Sequence, residues 1–130
     1  MMKIEDKQLL VKALYALLPY NVKVQYKEKN FEIDYVSICD EVKLNIPDNY
    51  TVPAYEIKPY LRPMSSMTDE EKAQVQTFMD IVTDENYGDD YSPSAWDTMN
   101  GFVQYCDSHY LDHRGLIFKG LALEAPEGMY

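Results

Sequence analysis

Val22-Lys23-Val24-Gln25-Tyr26-Lys27 alternates apolar and polar side chains, and Phe31-Glu32-Ile33-Asp34-Tyr35 does so again after a break at Glu28-Lys29-Asn30. Alternation with a period of two marks a strand with one face on a core, because successive side chains point to opposite sides of a sheet. The second run continues through Val36 to Ile38. A turn at Asp40-Glu41 follows, and Val42, Leu44 and Ile46 then alternate with Lys43 and Asn45. Pro47-Asp48-Asn49 is a further turn cluster, before an extended stretch through Val52, Tyr55 and Ile57. Connections this short leave no room for crossover helices, so consecutive strands run antiparallel. Four or five short strands in such a meander predict a small, strongly curled, SH3-like sheet. Pro53 belongs at an edge or a bend, since it cannot donate to a ladder.

Upstream of the sheet, residues 5–18 place Leu10, Ala13, Leu14, Leu17 and Leu18 on one helical face, with Lys7, Gln8 and Lys12 opposite. Pro19 stops that helix. Downstream, residues 58–67 read as a hinge, held extended by Pro59 and Pro63. Thr68-Asp69-Glu70-Glu71 then forms a capping box, in which Thr68 serves one orphan amide and Glu71 reaches back to another. The helix it opens carries Val75, Phe78, Met79 and Val82 on one face. After an acidic loop over 83–93, Ser92 as cap and Pro93 at the first position open a third helix. Its stripe of Trp96, Met99, Val103, Cys106 and Tyr110 reads as a packing seam. The last twenty residues read as a docked tail with one short strand, around Leu116-Ile117-Phe118 and Leu121-Ala122-Leu123. The predicted class is therefore α+β: an N-terminal helix, a curled antiparallel meander, two helices and a docked C-terminal tail, in one domain over 1–130.

Charge divides this domain in two. Residues 1–62 hold nine Lys and Arg against nine Asp and Glu, whereas 63–130 hold three against thirteen, so the whole formal charge of −10 lies in the helical half. Such a field repels phosphate backbones and attracts basic surfaces. It disfavours nucleic acid as a partner and favours a protein. No apolar run approaches the roughly 18 residues of a membrane span. The opening Met1-Met2-Lys3-Ile4-Glu5-Asp6 puts acids where a signal peptide begins its apolar core, so the expected location is cytoplasmic. Cys39 and Cys106 lie far apart and read as free, buried thiols.

The sharpest chemical constellation is Cys106, His109 and His113, whose spacing of three and four suits one helix face and whose thiolate and imidazoles suit zinc. Against a metal site, Cys106 already belongs to the apolar stripe, and Gly115 predicts that the helix ends before His113. The acidic loop offers Asp84, Asn86 and Asp90 at alternating positions. Gly88 falls fifth and Ala95 twelfth, where a calcium loop of the EF-hand type needs glycine sixth and glutamate twelfth. No nucleophile elbow and no glycine-rich phosphate loop occurs. No cofactor or metal is therefore expected. Tyrosine is the compositional outlier, at twelve residues. Tyr50, Tyr55 and Tyr60 with Arg62 form one candidate contact surface, and Asp84, Glu85, Asp89 and Asp90 form an acidic one.

Four stretches carry a resemblance. Leu18-Pro19-Tyr20-Asn21-Val22-Lys23-Val24 and Ile57-Lys58-Pro59-Tyr60-Leu61-Arg62-Pro63-Met64-Ser65-Ser66-Met67-Thr68, with Asp112-His113-Arg114-Gly115-Leu116-Ile117 and Gly120-Leu121-Ala122 in the tail, are similar to uncharacterised small proteins encoded in phages, prophages and mobile elements of Bacteroides-like bacteria. The resemblance implies a cytoplasmic accessory protein and supplies no activity. Those proteins carry tyrosine where His113 stands, which implies that their common role needs no imidazole there. The leading expectation is a non-enzymatic interaction protein whose acidic half occupies a basic surface. The alternatives are a small metal- or thiol-dependent enzyme at Cys106, His109 and His113, and a nucleic-acid-binding sheet using Lys23, Lys27, Lys43, Lys58 and Arg62.

Overall fold

A computed structural model describes residues 3–37, 40–47, 51–83 and 93–130, with backbone alone at 81–83 and 93–97. Helix α1 spans Ile4–Leu17 and buries Leu10, Val11, Ala13, Leu14 and Leu17, the face that the leucine spacing predicts. Pro19 then sits in a single 3-10 turn, Leu18–Tyr20, closed by Asn21 in the left-handed conformation at φ 57°. Asparagine reaches that conformation more readily than most residues.

Six strands follow: β1 Lys23–Tyr26, β2 Lys29–Val36, β3 Glu41–Leu44, β4 Val52–Pro53, β5 Lys58–Leu61 and β6 Leu123–Glu124. They lie in the order β4-β3-β2-β1-β5-β6. The first four are antiparallel neighbours in sequence order, as their short connections require. Then the meander breaks. A 3-10 turn at Ala54–Glu56 carries the chain across, and β5 pairs antiparallel with β1 rather than with β4. The segment expected to be a hinge therefore contains a strand. The proline at its second position, Pro59, lies opposite Val24, beyond the Tyr60–Leu61 positions at which β6 joins from the other side. Its missing N–H costs least where one flank of the strand is unpaired. Because β6 runs parallel to β5, the sheet is mixed and not wholly antiparallel.

Two local features also shift the expected register. The first hairpin pairs Tyr26 with Lys29, so its turn is Lys27-Glu28, with φ of 49° and 64°, and not Glu28-Lys29-Asn30. Both central residues at positive φ define the turn whose twist matches the flanking strands, although Lys and Glu give no sequence sign of it. In β2 the pairing slips between Ile33 and Tyr35. A one-residue slip exchanges the faces of a strand. Ile33 and Val36 consequently point inward while Tyr35 stands exposed.

Helix α1 and the sheet share one core, in which Leu10, Leu14 and Leu17 meet Val22, Val24, Val42, Leu44, Ile57 and Leu61, joined from the tail by Leu116, Leu121 and Ala122. Helices α2, Asp69–Thr83, and α3, Pro93–Ser108, contribute no described side chain to it. They meet one another through Phe78, whose ring lies edge-on to Phe102 at 6.2 Å and tilted against Tyr105 at 6.0 Å. Gly101 permits that approach, since a Cβ there would stand 3.2 Å from the Phe78 ring. Of the expected α3 stripe, Cys106 is buried, Met99 is exposed, and Tyr110 falls past the end of the helix. Ser92 and Cys39 lie outside the described residues.

Replacing Lys27-Glu28 by Asn-Gly should raise stability by about 1 kcal/mol, because both new residues accept positive φ at lower cost. The urea midpoint should rise with no change in slope.

Candidate functional site

The site begins at the capping box. Thr68 Oγ1 accepts the Glu71 N–H at 3.2 Å, and the Thr68 N–H donates to Glu71 Oε1 at 2.8 Å. That reciprocal pair fixes the start of α2 and aims the Glu71 carboxylate back along the chain. Glu71 is only 5% exposed. A buried carboxylate needs charge and hydrogen bonds in compensation. Arg62 supplies them through two bonds, Nη2 to Oε1 at 2.7 Å and Nη1 to Oε2 at 2.8 Å. Such two-pronged pairs are the strong form of charged hydrogen bond. His109 Nδ1 adds a third contact, 2.8 Å from Oε2. An ionised carboxylate only accepts, so Nδ1 carries the proton.

Arg62 is held just as firmly. Its guanidinium also donates to the His109 carbonyl at 3.3 Å and to the Ser66 carbonyl at 3.1 Å. Its backbone N–H donates to Tyr110 O at 2.7 Å, and its carbonyl accepts the Asp112 N–H at 2.9 Å. Three segments thus converge on one residue: the end of β5, the start of α2 and the turn after α3. The hydrogen bonds from Arg62 pull the Glu71 carboxyl down to about 2, against the opposing effect of its burial.

Beside this junction opens a groove of about 550 Å³, lined by Arg62, Glu70, Tyr105, Ser108, His109 and Tyr130 among others. The His109 ring stacks on Tyr105 at 4.3 Å and its side chain is 40% exposed. An imidazole oriented by a carboxylate has the form of a general base. No nucleophile is set against it among the described residues. Ser108 Oγ donates back to the Tyr105 carbonyl at 2.8 Å, and the Cys106 thiol is fully buried and pushed up to about 11 by that burial.

Cys106, His109 and His113 are not brought together. Helix α3 ends at Ser108, so the two histidines leave on different headings and find different carboxylates. His113 Nε2 lies 3.0 Å from Asp107 Oδ1, and Arg114 grips the same carboxylate at 2.7 and 3.1 Å. Burial alone would raise the Asp107 carboxyl; the bonds from His113 and Arg114 outweigh it and hold it below its ordinary value. Among the described residues, no group of three His, Cys, Asp or Glu side chains is placed to hold a metal ion.

Of the aromatic contact surface, Tyr55 is half exposed beneath Lys7 Nζ, 4.8 Å from the ring centre. Tyr60 is buried, with its hydroxyl donating to Asn30 Oδ1 at 2.7 Å and accepting from Gln25 at 3.2 Å. These two tyrosines have different neighbours. Arg62 belongs to the junction. Tyr50 and the acidic set Asp84, Glu85, Asp89 and Asp90 lie outside the described residues. The cations proposed for nucleic acid are largely engaged: Lys43 is buried on the carbonyls of Leu44 and Ile46, Lys23 reaches Met129 O, and Lys27 covers the Tyr26 ring. Sequence reasoning located Glu71 through its capping box but not its partners, whose separations of nine and thirty-eight residues leave no periodic trace.

Glu71→Gln should lower the unfolding free energy at pH 7 by about 2 kcal/mol, since it leaves a partly buried guanidinium short of charge while solvent screens the rest. Stability contributed by a depressed carboxyl is complete above its ordinary value and lost as pH falls through the folded-state value. For Glu71 that window runs from 4.5 down to about 2, so the difference between wild type and variant should shrink over that range in urea titrations. Compared with protein-family models, with curated proteins and with solved structures, the chain finds no match in any of the three.

Proposed function

We propose that this chain is a non-enzymatic, cytoplasmic interaction module whose acidic helical half occupies a basic surface on a protein partner. One observation carries the reading, the way the acids are disposed. All of the net charge of −10 falls in residues 63–130. Within that half, Glu71 and Asp107 are buried and matched by Arg62 and Arg114. Asp69, Glu70, Glu124 and Glu127 stand exposed and outside every ion pair among the described residues. The carboxylates serving the fold are therefore separate from those facing solvent. An uncompensated field of one sign steers a complementary partner and fixes its orientation.

Three further points support the reading. Strand β1 lying between β2 and β5, with a 3-10 turn leading into β5, favours an SH3-like sheet, a scaffold used for many kinds of contact. The pairing of β6 with β5 and the burial of Leu116, Leu121 and Ala122 favour a docked tail. The similarity to phage and mobile-element proteins favours an accessory role on host or phage machinery. Among the described residues, no helix is long and apolar enough to cross a membrane.

A partner recovered by co-purification from the native host should release steeply between about 0.05 M and about 0.5 M salt, because screening shortens the reach of exposed charges. The triple variant Asp69→Lys, Glu70→Lys, Glu127→Lys should fail to retain it at low salt. Binding indifferent to both changes would refute the electrostatic mode.

A further inference from the structure

We propose that the groove beside the Arg62–Glu71 junction receives the guanidinium of an arginine carried by the partner's basic surface. The side chains lining it have largely spent their donors and kept acceptors. The two terminal nitrogens of Arg62 make four bonds, two to Glu71 and one each to the His109 and Ser66 carbonyls. Ser108 Oγ donates to the Tyr105 carbonyl, and Tyr110 Oη to that of Tyr20. Tyr130 Oη, which accepts the Lys23 N–H at 3.0 Å, donates to the Tyr60 carbonyl at 2.8 Å. His109 Nδ1 is committed to Glu71, so in the neutral ring Nε2 carries a lone pair and no proton. Glu70 lines the same groove as an exposed carboxylate, outside every ion pair among the described residues. The hydroxyls of Thr68 and Tyr105 are able to take either role.

The field has the matching sign. Arg62 and Glu71 cancel as a pair, which leaves the charge of Glu70 uncompensated. Helix α3 ends at Ser108 with no basic residue in its last turn, so the negative end of its dipole lies at the groove wall formed by Tyr105 and Ser108. The Tyr105 hydroxyl registers the balance. Burial raises it above its ordinary value, and the charges of Glu71 and Glu70 each raise it further by more than Arg62 lowers it.

A cation that only donates suits such a lining. Guanidinium carries five N–H donors in a planar fork and no acceptor, so it meets a carboxylate with two bonds and still has an edge for a further acceptor. An ammonium concentrates three donors on one atom and holds its water more tightly. The groove, at about 550 Å³, therefore selects by chemistry as well as by charge: Glu70 takes the fork and His109 Nε2 takes a remaining N–H. That the arginine belongs to a protein partner rests on the acidic-surface reading; the preference of the groove for a guanidinium does not.

The test titrates the full-length chain with the peptide Gly-Ser-Arg-Ser-Gly and with its forms carrying lysine or citrulline in the central place. The arginine peptide should move the amide resonances of Glu70, Tyr105, Ser108 and His109, together with the His109 Nε2 resonance. Citrulline keeps the shape without the charge and should bind roughly tenfold more weakly, with lysine between the two. Glu70→Gln, at an exposed position where the fold is not at stake, should weaken the arginine peptide about threefold. His109→Phe keeps a ring on Tyr105 and should weaken it as well, whereas Glu127→Gln, outside the groove, should leave it unchanged. Lysine or citrulline binding as tightly as arginine, or Glu70→Gln without effect, would overturn the proposal. Shifts confined to Asp69, Glu124 and Glu127 would overturn the groove and leave the acidic surface standing. Arginine seated in the groove, beside a native partner indifferent to salt, would uphold the groove and remove the acidic-surface reading alone.

Discussion

The Glu71 carboxylate sits nearly out of solvent at a place where three chain segments must meet, and most of the architecture follows from how it is compensated. Arg62 is the first residue beyond β5, Thr68 comes from the cap of α2 and His109 from the turn after α3. Removing any of these leaves charge or polar groups short of partners in a site that water reaches poorly. Buried ion pairs often stabilise no better than apolar residues of the same size, but they are demanding about geometry. Here that demand orients a helical pair that adds no described side chain to the main core. The apolar core holds α1 on the sheet; the charged seam joins α2 to that unit, and α3 is held there also by its contact with α1 and by the backbone bonds of the turn that follows it.

The stretches around β5 and after α3 gain a physical meaning from this seam. Ile57, Pro59, Tyr60 and Leu61 are buried, Arg62 and Thr68 make the junction, and Pro63 and the Met64–Ser66 turn set the path between them. In the tail motif, Asp112 accepts the N–H groups of Leu116 and Ile117 at 2.8 and 2.9 Å, and Arg114 clamps Asp107. Gly115 sits at φ 74°, a conformation glycine adopts freely. His113 serves as one more polar neighbour of Asp107. These residues make an architecture in which the buried acids are paired, while Asp69 and Glu70 stand exposed in the first turn of α2.

Much of the fold could be read before any coordinates. The leucine spacing of α1, the alternation in β1 and β3 and the capping box of α2 are local patterns, and local patterns leave periodic traces. What escaped depends on distance or on unusual local choices. Lys27-Glu28 adopts a turn that asparagine and glycine normally announce. The slip at Asp34 turns Tyr35 outward against the alternation. The prolines around Tyr60 suggest a hinge, though β5 is held by β1 on one side and by β6 on the other. The candidate site is half visible: Arg62, His109 and His113 stand out in the sequence, but not as partners of the carboxylates they meet. Glu71 shows in the sequence as a capping residue and Asp107 stands beside the apolar stripe, but neither pattern names its partners. Tyr130 gave no signal, because a hydroxyl bridging two strands more than a hundred residues away in one case has no sequence signature.

Amide hydrogen exchange of Arg62→Met against wild type tests the seam most directly, since methionine keeps apolar bulk and removes the charge. If the ion pair is what joins the helices to the sheet, protection should collapse first in α2 and in the turn after α3, with β1, β2 and α1 retaining most of theirs. A uniform loss of protection across both units, or no loss in α2, would contradict it.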